Sequence, residues 1–223
     1  MTYNAITLKA IGFSDSERRV FMNEQFALRN LDVSWLDATV LSESNWRAAI
    51  ARGEIGGNLA LEQTYRYQLG TIGCALSHLQ CWLNASTMPE NDLLVVFEDD
   101  VYISNNFKSG LERAVAELPD DFDIAFLCAL PTRGDCFIPQ ERFSHQWLRL
   151  ENMCITSTAA YILNRRNLAK LLSRTLPILD HIDLHILRQV EQLSTFMFCG
   201  WPPLCAGQMT GESERVKVGM AIK

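Results

Sequence analysis

Glu98, Asp99 and Asp100 follow the apolar run Leu93-Leu94-Val95-Val96-Phe97 without a break, and no Lys or Arg lies nearer in sequence than Lys108. Adjacent carboxylates repel, and a divalent cation is the simplest means of keeping all of them ionised. Ligands that are all oxygen favour magnesium, manganese or calcium over zinc. An ion held there can in turn bind a diphosphate. On an extended backbone side chains alternate, which predicts Glu98 and Asp100 on one face and Asp99 on the other. Two other readings use the same acids. They can open a solvent-facing turn, or supply the acid and base of a metal-dependent glycan hydrolase, whose paired carboxyl groups face one substrate about 5 to 10 Å apart.

Arg18 and Arg19 come after the first predicted strand, where guanidinium groups and the amides of a helix N-terminus together attract phosphate. An exposed first turn accounts for them almost as well. Asp37 ends the second predicted strand and offers a hydrogen-bond acceptor at that strand end. His181 and His185 are spaced i, i+4, but the glutamate of an H-E-x-x-H zinc site is missing, so a structural role is expected. Phe137, Phe143 and Trp147 fall in an irregular region, where aromatic rings stack on sugars or pack a loop on the core.

These side chains need a scaffold that gathers strand ends. Residues 4–8 read as a strand, Ser14-Asp15-Ser16-Glu17 as a capping box with Ser14 as N-cap, and a helix continues to about Ala27. Residues 33–36 form a second strand, with a modest helix after Ser42. Gly53, Gly56 and Gly57 make 53–67 read as loop. From Leu69 onward Ile72, Ala75, Leu76, Leu79, Trp82 and Leu83 recur at helical spacing. Residues 93–97 read as a strand covered on both faces. Asn105 or Asn106 caps a helix that turns Phe107, Leu111, Ala114, Val115 and Leu118 inward, and 123–130 is another buried strand. From Pro131 to about Arg149 the chain is irregular, as binding loops often are. A strand at 156–163, a helix at 165–174, a helix from Asp180 as N-cap to about Leu193, and a strand at 195–198 complete the pattern. Strands alternating with helices predict an α/β fold with a mainly parallel sheet flanked by helices. In such folds ligands collect at the carboxyl ends of strands, where the three acids fall.

The 223 residues are 48% apolar and 21% charged, in the range of one ordinary domain. A net charge of -6 without any cluster of Lys and Arg argues against a nucleic-acid partner. The N-terminal residues form neither a signal peptide nor a spanning helix, which predicts a cytoplasmic protein without a transmembrane segment. Seven scattered cysteines, never spaced C-x-x-C, predict reduced thiols rather than a disulfide framework or a zinc knuckle.

The order of several stretches resembles glycosyltransferase family 25, the lipooligosaccharide-biosynthesis type that includes collagen galactosyltransferases. The resemblance runs through Ile6-Thr7-Leu8, Ser16-Glu17-Arg18-Arg19 and Leu36-Asp37-Ala38. It is strongest in the stretch from Leu69 to His78, which contains Ile-Gly-Cys-Ala-Leu-Ser-His, followed by Phe97-Glu-Asp-Asp-Val101. It resumes at Ala160-Tyr161-Ile162, Ala169-Lys170-Leu171-Leu172, His181-Ile182-Asp183 and Pro202-Pro203-Leu204.

What the resemblance implies is a single GT-A-like domain, with residues 1–130 binding a nucleotide sugar and 131–223 on the acceptor side. The implied reaction moves a hexose, usually galactose, from a UDP-sugar to a saccharide hydroxyl with inversion, in lipopolysaccharide, lipooligosaccharide or related glycan synthesis. Asp100 would hold Mn2+ or Mg2+ against the donor diphosphate, with Glu98 or Asp99 helping. Ser77 and His78 would support the donor pocket beside Arg18, Arg19 and Asp37, a structural histidine being the alternative for His78. Asp183, in the matching stretch near a helix start, would be the catalytic base. The location would be cytoplasmic, with peripheral association at the inner face of the membrane. Thr71 stands where the family commonly has glutamate, and the stretch from Cys154 to Tyr161 lacks the glycine usual before the Tyr-Ile pair. A non-catalytic descendant that binds a glycan or a partner is the remaining alternative.

Overall fold

The computed structural model describes residues 3–131, 141–150, 155–189 and 192–207. Strand β1 (Ile6–Gly12) runs four residues further than its apolar start suggests, because it is paired on both sides. Helix α1 (Glu17–Leu28) therefore begins later, and its N-cap is Ser16, whose hydroxyl accepts from the Arg19 amide at 3.3 Å; the predicted Ser14 lies in the preceding turn. Strand β2 (Val33–Asp37) leads to α2 (Glu43–Ala51), which opens with a reciprocal capping box between Ser42 and Asn45. The region predicted as loop contains a 3-10 turn (Gly57–Ala60) and the helix α3 (Glu62–Tyr67). Helix α3 buries none of its residues, so no apolar period announced it.

Helix α4 (Leu69–Ala85) is followed by β3 (Leu93–Glu98), β4 (Val101–Ile103), α5 (Phe107–Ala116) and β5 (Ile124–Pro131). Asn106 is the N-cap of α5, without a side-chain bond. The region predicted as irregular carries β6 (Glu141–Arg142) and β7 (Trp147–Arg149). Strand β8 (Ile155–Asn164) passes through a 3-10 turn (Arg165–Asn167) into α6 (Leu168–Thr175). Helix α7 (Ile182–Leu187) is much shorter than expected and starts from His181 rather than Asp180. Beyond it the Gln189 carbonyl accepts from the amides of Gln192 and Leu193, turning the chain into β9 (Thr195–Phe198), and β10 (Cys205–Gly207) ends the described chain.

Among the described residues eight strands form one sheet in the order β2-β1-β3-β8-β5-β9-β7-β6, and β10 pairs with β4 in a separate ribbon. Strands β1, β2, β3, β5 and β9 point the same way, with β8 inserted antiparallel between β3 and β5. The expected α/β architecture with a mainly parallel central sheet is therefore present. Period two along β3 divides the core. Leu94 and Val96 pack with Ile72, Leu79 and Trp82 of α4 and with Ile182 and Ile186 of α7. Leu93, Val95 and Phe97 pack on the other side with Met22 and Phe26 of α1 and Phe107 and Leu111 of α5. Trp147 belongs to that second core, fully buried, with its indole N–H donating to the Ala114 carbonyl at 2.7 Å, so it is no sugar-stacking ring. Phe143 stays partly exposed, edge-on to Phe196; Phe137 lies outside the described residues. Among the described residues no helix is long and apolar enough to cross a membrane, and the five described cysteines are all free thiols.

Candidate active site

The carboxyl ends of β1, β2 and β3 lie in a row. Gly12 is in register with Asp37, and Ile11 with Glu98, so the residue after Glu98 crosses the end of β1. The crossing is tight. A Cβ added at Gly12 would stand 2.8 Å from the Asp99 Cβ, 2.9 Å from its Oδ2 and 3.0 Å from the Trp35 ring. Only a glycine at the end of β1 lets the Asp99 side chain lie where it does.

Alternation along β3 continues to its last residue. Glu98 faces the α4 side, and Asp99 turns to the α1 side. Asp100 does not rejoin Glu98, as an extended backbone would have required, because the strand ends and Asp99-Asp100 form a turn. Both aspartates instead reach one guanidinium. Arg18 Nη1 is 3.5 Å from Asp99 Oδ1 and 3.2 Å from Asp100 Oδ2. Burial, with the charges of Asp100 and Glu98 adding to it and Arg18 opposing, pushes the Asp99 carboxyl up to about 6. The turn is anchored from behind by Gln25 of α1. Its buried amide donates to the Val101 carbonyl at 2.7 Å and accepts from the Ile103 amide at 2.9 Å, tying β4 to the helix that carries Arg18.

On the opposite side Glu98 is held by a buried polar chain. Its Oε1 accepts from the Thr158 hydroxyl at 2.6 Å and lies 3.2 Å from His78 Nε2. His78 Nδ1 is 2.8 Å from the Tyr161 hydroxyl, which also accepts from the Trp82 indole at 2.9 Å. Burial works against a charged imidazole, but Cys74 and Glu98 outweigh it and raise His78 to about 9. Ser157, next to Thr158, holds a φ of 151°, a conformation that glycine adopts freely and other residues rarely do. Ser77 is buried and stitches α4 to the loop after β2: it donates to the Gly73 carbonyl at 2.7 Å and accepts from the Thr39 amide at 2.8 Å. Gly73 permits that approach, since a Cβ there would sit 3.0 Å from the Thr39 carbonyl oxygen. Thr71 is buried as well, where a longer acid would have to find room.

Arg19 pairs with Asp37 at 2.6 Å and stacks its guanidinium 4.6 Å from the Trp35 ring centroid. The Asp37 side chain is 70% exposed, so this pair adds little stability and leaves the acid facing solvent. Asp183 lies in the first turn of α7, its Oδ1 accepting from the Leu184 amide at 2.8 Å. The core packing of α7 places it on the Glu98 side of the sheet. His181 and His185 do not act together. His185 is buried and its Nε2 meets the Thr175 carbonyl at 2.7 Å, while His181 occupies the N-cap. Asp180, the expected cap, accepts from the His181 amide and pairs with Arg188 at 3.0 Å.

Arg18, Asp99 and Asp100 are thus brought together, with Arg19 and Asp37 beside them on the same sheet edge. Ser77, His78 and Glu98 form the α4 side. Sequence reasoning missed Gln25, Gly12, Thr158 and Tyr161. Alternation sent Glu98 and Asp99 to opposite faces, as they lie, but nothing local marks the partners waiting there.

The family described as Glycosyltransferase family 25 (LPS biosynthesis protein) matches residues 11–186. A protein of Haemophilus influenzae (strain KW20), provisionally named a glycosyltransferase, is 28% identical over 136 residues, covering 58% of this chain. The match spans 42% of that relative, under half its length. Among solved structures, a glycosyltransferase involved in glycosylating the major capsid of PBCV-1 superposes with a TM-score of 0.51 at 10% identity, over 97% of this chain and 99% of the other. That likeness extends to the fold, which is GT-A-like. With most of its length, and both the α4 and the β3 stretches, inside the matched segment, the chain belongs to glycosyltransferase family 25.

Proposed function

We propose that this chain is a metal-dependent inverting glycosyltransferase that moves a hexose, galactose first among the candidates, from a UDP donor to a saccharide hydroxyl. The observation that carries the reading is the convergence of Asp99 and Asp100 on a single cationic nitrogen of Arg18 at the carboxyl edge of β1, β2 and β3. Two carboxylates that share one positive atom have the oxygen-only donor set and the convergence that Mg2+ or Mn2+ needs. Asp100 remains the principal ligand in this proposal. Asp99 is its partner, because Glu98 is engaged by His78 and Thr158. When bound, the ion supplies positive charge to the departing diphosphate.

The chain's own residues divide the remaining work. Arg18 would contribute its guanidinium to phosphate oxygens at the start of α1, where the helix N-terminus also favours an anion. Arg19 and Asp37 border the nucleotide, the acid accepting from a ribose hydroxyl or the uracil edge. Ser77 fixes α4 against the loop after β2, and the His78 chain holds Glu98 beside the sugar. Asp183 takes the proton from the acceptor hydroxyl as it attacks the anomeric carbon from the face opposite the diphosphate, which inverts the linkage. The acceptor side draws on residues 131–223, and lipopolysaccharide or lipooligosaccharide is the acceptor class. The setting is the cytoplasmic face of a membrane.

A panel of UDP-sugars with and without Mn2+ tests this reading. Metal-dependent release of UDP from one of them is expected, reduced about a hundredfold or more in Asp100→Asn. Release of sugar from a glycan without any nucleotide sugar selects a hydrolase instead, and no calorimetric heat with UDP and Mn2+ selects a binding protein without a donor site.

A further inference from the structure

Cys74, His78 and Glu98 form a second constellation, chemically unlike the pair of aspartates. Their ligand atoms, one thiol sulfur, one imidazole nitrogen and one carboxylate oxygen, all lie within 4.8 Å of one another. Cys74 and His78 are one turn apart on α4 and so share a face, and Glu98 is delivered to that face by the alternation of β3. The nitrogen–oxygen pair already has the spacing of a metal site. Tetrahedral zinc sets its nitrogen and oxygen ligands about 3.3 Å apart and a sulfur about 3.6 Å from either. His78 Nε2 and Glu98 Oε1 stand at 3.2 Å.

The surroundings are built as well. A ligating histidine is oriented by a hydrogen bond at its other nitrogen. His78 Nδ1 meets the Tyr161 hydroxyl at 2.8 Å, and the Trp82 indole fixes that hydroxyl in turn. The carboxylate is oriented by Thr158 at 2.6 Å. His78 and Thr158 are buried, whereas Cys74 and Glu98 are only partly covered. The cluster is therefore closed on the protein side and reachable on the other, which leaves a fourth coordination position for water or an outside ligand.

We propose that Cys74, His78 and Glu98 bind a zinc-class divalent ion, at a site distinct from the one formed by Asp99 and Asp100. Sulfur, nitrogen and oxygen donors together select zinc or cobalt over magnesium or calcium. Binding breaks the Cys74 S–H bond and forms a metal–sulfur bond, with the proton released to solvent; no electrons are exchanged. Because Glu98 becomes a ligand, an ion here fixes the carboxylate that sits beside the aspartate turn.

The test uses the full chain, purified metal-free and titrated with Co2+ and then with Zn2+ against a chromophoric chelator. One equivalent of Co2+ giving a thiolate-to-cobalt charge-transfer band, displaced by Zn2+, is expected. Cys74→Ser should abolish the band and weaken zinc binding at least tenfold. Glu98→Gln should keep the band and weaken binding. Asp100→Asn should leave both unchanged, which separates this site from the donor site whatever the activity. With other cysteines in the chain, a band that survives in both Cys74→Ser and Cys74→Ala overturns the assignment. So does the absence of any stoichiometric Zn2+ binding by the folded wild-type chain.

Discussion

At the scale of single residues, the acid turn depends on the absence of a side chain. Gly12 has no Cβ to meet Asp99, in the turn after β3, or Trp35, held in β2. Gly12→Ala should cost about 1 to 3 kcal/mol, as overpacking does. It should also weaken metal-dependent UDP binding by displacing Asp99. A urea midpoint and a calorimetric titration on the same variant measure both, and an unchanged midpoint would show that Asp99 yields freely. The sequence pointed to Glu98, Asp99 and Asp100 as a group, because like charges at the end of an apolar strand are conspicuous. Alternation set Glu98 and Asp99 on opposite faces but said nothing of the partners they meet. Alternation extrapolated past Glu98 wrongly joined Asp100 to Glu98, since the backbone leaves the extended state at that point.

At the scale of elements, Gln25 of α1 serves β4 as a strand partner would. Gln25 fills one donor and one acceptor of Val101 and Ile103 in a buried setting. Gln25→Leu keeps the volume and strands both backbone groups, so a loss of about 2 kcal/mol or more is expected in chemical denaturation. A loss within error would mean that water reaches the gap. Helix α7 makes a separate prediction about pH. Burial and the nearby Arg188 hold His185 below its ordinary 6.5, while Asp180 and the Thr175 carbonyl oppose them. The unfolded chain then takes up a proton first as pH falls, so His185 contributes stability above 6.5 that is lost below it. Stability of the wild type relative to His185→Gln should therefore decline as the pH falls below 6.5. A flat difference would place the imidazole in contact with water. The length of α7 was illegible beforehand, because helical periodicity past Leu187 competes with the turn that must deliver β9, and only the tertiary path decides between them.

At the scale of the whole molecule, the sheet gathers its functional groups on one edge from both layers of helices. If acids, Arg18 and nucleotide assemble as proposed, Mn2+ and UDP should stabilise the fold more together than the sum of each alone. At a hundred times its dissociation constant a ligand adds about 2.7 kcal/mol, or about 5 to 10 °C in midpoint for a chain of this size. Differential scanning calorimetry with each ligand and with both measures this, and purely additive shifts would contradict a shared site. The sequence by itself determined the family, through the order of its motifs, and the α/β class, through strands that alternate with helices. It also determined that 93–97 is a buried strand whose period two must split its last acids between opposite faces. Tertiary structure alone decided who meets them. Arg18 lies 81 and 82 residues from Asp99 and Asp100, Gln25 76 from Val101, and His78 83 from Tyr161. Local pattern reports which face of an element is apolar. Contacts over such separations are set by how those faces pack against one another, and that packing made one guanidinium the common neighbour of two carboxylates.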